Sequence, residues 1–126
     1  MSKINISTDK APTAIGPYVQ GVSYGDLIFT SGQLPICPNT GVVEGGCIKK
    51  ATRCVLNNVQ AVLAASGSGL DKVIKATVLL KDLGNFAQMN EVYWEFFGDN
   101  PPARTCFEVS KLLLDAIVEI EVVAFK

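Results

Sequence analysis

The chain contains no histidine, and that absence excludes more chemistry than any other feature of its composition. Imidazole acid–base work near neutral pH, Ser-His-Asp and Cys-His nucleophile pairs and His-ligated zinc all fall away. Charge is also scarce. Charged residues are 18% of the 126, and the formal net charge is -1. The lysines are scattered and never form a basic block, so the chain carries no electrostatic footprint for nucleic acid, and duplex binding is disfavoured. The four cysteines, Cys37, Cys47, Cys54 and Cys106, show no Cys-x-x-Cys spacing. They read as free thiols, and a zinc or thioredoxin-like site lacks support. No apolar run approaches the roughly 20 residues of a membrane span. The N-terminus, Met1 to Ser7, has no apolar signal-peptide core, which gives the expectation of a cytoplasmic chain in a reducing compartment.

What remains is apolar. Hydrophobic residues make up 48% and the mean hydropathy is +0.30. Residues 1–126 suffice for one domain with a real core, and some apolar surface is expected to be buried between subunits. Ile4 to Ile6 reads as a short strand, and Ala11 to Tyr18, with two prolines and a glycine, as an irregular loop. Val19 to Tyr24 and Leu27 to Gln33, separated by Gly25-Asp26, read as an antiparallel hairpin. From Ile48 to about Ser66 apolar residues recur at helical spacing, with Gly67 as the stop; Arg53, Asn57, Asn58 and Gln60 fall on the wetter side. Val73 to Leu80 is a strand. Asn85 to Gln88 resembles a capping box opening a second helix, whose buried stripe is Phe86, Met89, Val92, Tyr93, Phe96 and Phe97.

Two strands follow, one after Pro101-Pro102 and one from Ala116 to Phe125. The order implies an α+β fold: one mixed sheet with both helices on one face. In the last strand Val118, Ile120, Val122 and Ala124 line one face, while Ile117, Glu119, Glu121, Val123 and Phe125 line the other. Both faces carry apolar groups, and two helices can cover only one. An identical subunit is the economical cover for the second, so an obligate homo-oligomer is expected.

Arg104 is one of only two arginines. It sits where a Pro-Pro pair gives way to a β-branched and aromatic run, so the guanidinium falls at a loop-to-strand junction. It reads either as a solvated surface arginine or as a bidentate clamp for a small carboxylate or phosphate. Cys106 lies beside it, better suited to packing than to nucleophilic work without a histidine base. Ser31 and Gly32 end a strand with a hydroxyl and a position where backbone can approach a ligand closely; the alternative is a strand simply running out into a loop. Tyr18 is an aromatic plug or a ligand contact, and Asn90 a solvated helix residue or one that holds a neighbouring loop. Glu119 shares a face with Ile117 and Val123, where partial burial would raise its pKa and suit it to proton shuttling or water positioning. With Glu121 it could equally form a charged stripe.

Five separated segments carry a resemblance: Ala14 to Gln20, Thr30 to Gln33, Asn85 to Asn90, Pro102 to Cys106 and Val118 to Glu121. In this order they are similar to the signature segments of the RidA (YjgF/L-PSP) family. The resemblance implies a chorismate-mutase-like (ferredoxin-like) α+β fold, a homotrimer with clefts between subunits, and a cofactor-free deaminase hydrolysing 2-imino and 2-enamino acids of the 2-aminoacrylate type to 2-oxo acids and ammonia. It further implies that Arg104 clamps the substrate carboxylate, the Cys106 backbone carbonyl contacts the imine nitrogen, and Glu119 positions the attacking water. Tyr18, Ser31, Gly32 and Asn90 complete the pocket, and no metal is required. The chain departs from the family pattern at Ser110 to Asp115 and at Cys37. Two other classes stay open: a translation-inhibiting endoribonuclease, and a non-catalytic small-carboxylate binding or holdase module.

Overall fold

A computed structural model describes residues 1–126. Six strands form one sheet: β1 (Ile4–Ile6), β2 (Gly21–Tyr24), β3 (Leu27–Thr30), β4 (Val73–Leu80), β5 (Ala103–Glu108) and β6 (Val118–Phe125). Their order across the sheet is β1-β2-β3-β6-β4-β5. Only β4 and β5 run parallel, because α2 (Phe86–Phe97) carries the chain back between them, as a parallel connection requires. The longer helix α1 (Ile48–Ala65) links β3 to β4.

The face that the helices cover is the core. Ala51, Val55, Leu56, Val59, Val62 and Leu63 of α1 are fully buried and belong to one apolar cluster with Ile28, Ala76, Val78, Leu80, Val118, Ile120 and Met89. Each large side chain so buried contributes about 1.5–3 kcal/mol, and together they hold α1 across β3, β6 and β4. The helix stops where the sequence says it should. The Ser68 N–H bonds the Leu63 carbonyl at 2.9 Å and the Gly67 N–H bonds the Ala64 carbonyl at 3.1 Å, with Gly67 at φ +79°. That is a Schellman closure, and it needs a residue without a Cβ at Gly67.

Three local expectations are corrected. Asn58 is not on the wet side of α1: it is buried, and its Nδ2 donates to the Leu34 and Ile36 carbonyls at 3.0 and 2.9 Å. A buried amide is tolerated because the loop after β3 brings acceptors to it. The capping box at Asn85 does not form. Asn85 has φ -87°, ψ 2° and no side-chain cap bond, because a 3-10 turn over Leu83–Asn85 already leads into the helix and Asp82 accepts from Gly84 N–H instead. Finally, Phe86 is partly exposed rather than buried, at the first position of α2.

The opposite face of the sheet has no helix. Tyr24, Leu27, Phe29, Phe107 and Phe125 remain 39 to 50% exposed there, and the register sets Phe29 beside Val123 and Leu27 beside Phe125. A smaller cluster of Leu34, Leu112 and Ala116, with Leu79, Ile36 and Val109 against it, closes one end of this face. No helix is long and apolar enough to cross a membrane.

A candidate functional site in two halves

Arg104 is the second residue of β5, the edge strand, and its register partners Ala76 and Val122 are core residues. Its side chain therefore leaves on the helix side and meets α2. Nη1 donates to Asn90 Oδ1 at 2.7 Å. The guanidinium carbon stands 4.7 Å from the Tyr93 ring centre and 5.4 Å from that of Phe86, within cation–π range of both. Phe86, Asn90 and Tyr93 are spaced i, i+4, i+7, one stripe of α2, so one helix turned by packing supplies all three contacts. Arg104 makes no ion pair. An arginine held by a neutral amide and two rings keeps most of its five N–H donors free, and those donors are of the kind that can receive an anion. It opens on a cleft of about 510 Å³ that Asn90, Tyr93, Trp94, Pro101 and Pro102 also line.

Burial pushes the Tyr93 phenol up to about 12, against a smaller opposing pull from Arg104, so it stays neutral. Its hydroxyl has no hydrogen-bond partner. Two residues beyond Arg104, Cys106 is on the same face; burial raises its thiol above the ordinary range, with Arg104 pulling the other way. That favours packing over nucleophilic attack. Val109 N–H bonds the Leu80 carbonyl, and backbone groups of a strand alternate sides. By that alternation the Cys106 carbonyl turns toward the unpaired outer edge of β5.

The second group lies on the other face. Glu119 pairs in register with Leu79, which is opposite Phe107, so its side chain points away from α1 and α2. Gly32 allows it to lie flat against the chain: a Cβ on Gly32 would overlap Glu119 Oε2 and come within 2.8 Å of its Cδ. The requirement for glycine is thus one of space. Burial first, and the neighbouring Glu121 second, raise the Glu119 carboxyl above its usual range. Tyr18, Ser31, Gly32, Leu34, Leu113 and Glu119 line a cleft of about 250 Å³. The Ser31 hydroxyl already donates to the Val19 carbonyl, so it anchors the loop that bears Tyr18 and keeps only acceptor capacity for a ligand. Tyr18 is half-exposed, its hydroxyl accepting from Ile15 N–H at 3.3 Å.

Tyr18, Ser31, Gly32 and Glu119 are thus brought together, and so are Asn90, Arg104 and Cys106. The two groups are on opposite faces of the sheet, and neither cleft contains a residue of the other. Four contributors escaped the sequence reading. Gln20, buried, donates from Nε2 to the Thr8, Ala11 and Pro12 carbonyls and accepts from Thr8 N–H, which fixes the loop before Tyr18; nothing in its local pattern announced this. Tyr93 and Phe86 were assigned wholly to the core, although the stripe they share with Asn90 was the available signal. Leu113 reaches the Glu119 cleft from a turn in which Leu114 and Asp115 take φ of 58° and 55°, a conformation apolar side chains rarely adopt.

Comparison with known proteins bears on these halves. The family model described as Endoribonuclease L-PSP matches residues 8–126. A RutC family protein of Pyrococcus abyssi is 49% identical over 126 residues, covering 100% of this chain and 99% of its own. TdcF of Escherichia coli, named as a candidate reactive intermediate deaminase, is 45% identical over 129 residues, covering 100% and 98%. Its crystal structure with bound serine superimposes with a TM-score of 0.93 over 97% of this chain and 98% of that one. A Thermotoga maritima protein described as a candidate endoribonuclease, 45% identical, superimposes at 0.94 over 97% and 96%.

Proposed function

This chain belongs to the Endoribonuclease L-PSP (RidA/YjgF) family, and on that premise we propose that it hydrolyses reactive 2-imino and 2-enamino acids to 2-oxo acids and ammonia, in clefts between the subunits of a homotrimer. The observation that carries the reading is Arg104, aimed by Asn90, Tyr93 and Phe86 and without a carboxylate partner. A substrate carboxylate supplies that partner. Serine, bound in the TdcF structure, is itself a small carboxylate with nitrogen on the adjacent carbon.

Within one chain the clamp and the acid–base group lie back to back, so one substrate cannot touch both. An assembly in which the β5 edge of one subunit meets the open face of the next brings Arg104 and the Cys106 carbonyl against the neighbour's Glu119, Gly32 and Tyr18. The exposed aromatics of that face are the surface such an assembly would bury. In the cleft a protonated imine is already electrophilic. The substrate carboxylate rests on Arg104 and the imine N–H donates to the Cys106 carbonyl. Glu119 orients a water and accepts its proton as the oxygen bonds to the C=N carbon, giving a carbinolamine. Glu119 passes that proton to nitrogen, then takes the hydroxyl proton as the C–N bond breaks, so that ammonia leaves and the carbonyl of the 2-oxo acid forms. Positioning and one carboxyl suffice, without imidazole.

The test uses the shared site. Arg104→Ala and Glu119→Gln are each expected to be inactive in an ammonia-release assay. When the two are mixed and their subunits exchanged, about a quarter of the sites pair an intact Arg104 with an intact Glu119 from a neighbour, and about that share of activity returns. No recovery from mixed assemblies of proven composition would overturn the shared site. A 2-oxo acid soaked into crystals should place its carboxylate on Arg104.

The family's description also names an endoribonuclease. Under that reading RNA cleavage would survive stringent repurification and depend on the same residues. The pI of about 5.3 and the lack of histidine weigh against it.

A further inference from the structure

Between α1 and the loops that bear Lys10 and Cys37 is a third cleft, of about 370 Å³, that neither half-site uses. Lys10, Cys37, Pro38, Lys50, Arg53, Cys54, Asn57 and Asn58 line it, so three cations and two thiols face it and no carboxylate does. Lys10 and Lys50 make no ion pair; Arg53 gives one nitrogen to Glu95 at 2.8 Å. We propose that this cleft is a site of covalent thiol modification, in which Cys37 exchanges with a small disulfide bearing carboxylates and Cys54 resolves the adduct.

Asn58 ties the loop that bears Cys37 to the helix that bears Cys54, and both cysteines line the cleft. Its Nδ2 holds the Ile36 carbonyl, one residue before Cys37, and stands 3.9 Å from Cys54 Sγ, one helical turn before it. Cys37 opens a tight turn: its N–H bonds the Val42 carbonyl and its carbonyl accepts from Gly41 N–H. The donors of this turn, the Thr40 hydroxyl first and then the Asn39 and Thr40 N–H groups, pull the thiol below its ordinary range. Cys54 is opposite in character. Burial first, then the negative charge of a Cys37 thiolate, raise it against the opposing hydrogen bond of the Asn58 amide, with Glu44 adding a smaller push upward. Both thiols are partly exposed and line the same cleft; the one eased toward the thiolate is the attacking member of an exchange pair and the other the resolving one.

The chemistry balances as follows. The Cys37 thiolate attacks one sulfur of R–S–S–R; a Cys37–S–S–R bond forms, and the other half leaves as a thiolate. Lys10, Lys50 and Arg53 attract the carboxylates of R and hold the adduct in the cleft. Cys54 then gives its proton to solvent and attacks the Cys37 sulfur, expelling the second thiolate. The protein loses two electrons and the small disulfide gains them.

The probe is oxidised glutathione added to the reduced, assembled protein. Exchange is stopped by alkylation and each cysteine is followed by intact-mass and peptide mass spectrometry. Cys37 should carry the first adduct, and a Cys37–Cys54 disulfide should follow. Cys54→Ser should stop the reaction at the mixed disulfide, and Cys37→Ser should abolish both products while Cys47 and Cys106 alkylate at the wild-type rate. Cystamine, a disulfide bearing amines instead of carboxylates, should react with Cys37 about fivefold more slowly than glutathione disulfide, and Lys50→Glu should erase that preference. Equal reaction at all four cysteines, or a Cys37 that favours cystamine in the unmodified protein, would overturn the proposal; the second comparison needs no variant and so cannot be confounded by misfolding.

Discussion

The two faces of the sheet solve the same problem differently. On the helix-covered face every large side chain finds a partner within the chain: Leu56, Val59, Val78 and Ile120 are fully buried. On the other, Phe29, Leu27 and Phe125 stay exposed although they obey the same alternation. The difference is a matter of cover, because two helices suffice for only one side. Each face also keeps a charged group with no ion-pair partner in its own chain, Arg104 at the edge of the covered face and Glu119 on the bare one. Under the proposed function, the cation without an ion pair on one side and the carboxyl with a raised pKa on the other are the two halves that a second copy of the chain would bring together.

Removing the cation should break that complementarity most severely. Arg104→Ala is expected to lower kcat/KM for imino acid hydrolysis by about 10³, the loss typical when a fixed charge-stabilising donor is deleted. Arg104→Lys should recover only part, since an ammonium keeps the charge but loses the fork. Sedimentation should find both variants with the wild-type mass. Wild-type turnover in either would reduce Arg104 to a surface residue.

The faces themselves can be set against each other next. Leu56→Ala, under α1, should cost about 2–5 kcal/mol in denaturant unfolding, with assembly otherwise intact. Phe29→Asp, on the bare face, should instead leave secondary structure by circular dichroism unchanged and shift the mass in sedimentation toward the single chain. If Phe29→Asp left the mass unchanged, the bare face would be solvated in the working protein. If it unfolded the chain, that face would belong to the core.

Much of this contrast could be read in the sequence, because period-2 alternation in Val118 to Phe125 and period-3.6 in α1 report directly on which side is buried. The Glu119 carboxyl was likewise legible: its neighbours Ile117 and Val123 already implied partial burial. Asn58 was not, because its burial depends on the loop at Leu34 and Ile36 arriving from 24 and 22 residues away. The capping box failed for a related reason. A 3-10 turn that Asp82 closes pre-empted the geometry that Asn85 would need. That Arg104 and Glu119 leave opposite faces is a consequence of register between β4, β5 and β6, and register across non-consecutive strands leaves no trace in local pattern.

A gentler change examines how Arg104 is held. Tyr93 contributes a ring face and an unpartnered buried hydroxyl. Tyr93→Phe keeps the ring and removes the orphan, so activity should persist and stability should not fall. Tyr93→Leu fills similar space without a π face and should lower kcat/KM about tenfold, near the upper worth of a partly desolvated cation–π contact. The split between Phe and Leu separates aiming from packing, since a purely structural role would let neither variant change kcat/KM beyond its loss of stability.

The smallest effect reports most directly on whether the halves meet. In the single chain the Glu119 pKa is raised by burial and by Glu121. Below the ordinary glutamate range the carboxyl is protonated in both folded and unfolded states and costs nothing. As pH rises through the ordinary value toward the raised one, the unfolded state releases its proton first and stability is lost. Glu119→Gln has no such loss, so the variant should gain on wild type between acid and neutral pH. A neighbour's Arg104 close to Glu119 favours the carboxylate and shrinks that gain. Denaturant midpoints at fixed protein concentration should therefore show a small gain from Glu119→Gln in the intact protein and a larger one in an Arg104→Ala background. Equal gains in the two backgrounds would mean that the cation and the carboxyl do not sense each other, and the shared cleft would have to be abandoned even if each residue alone proved essential.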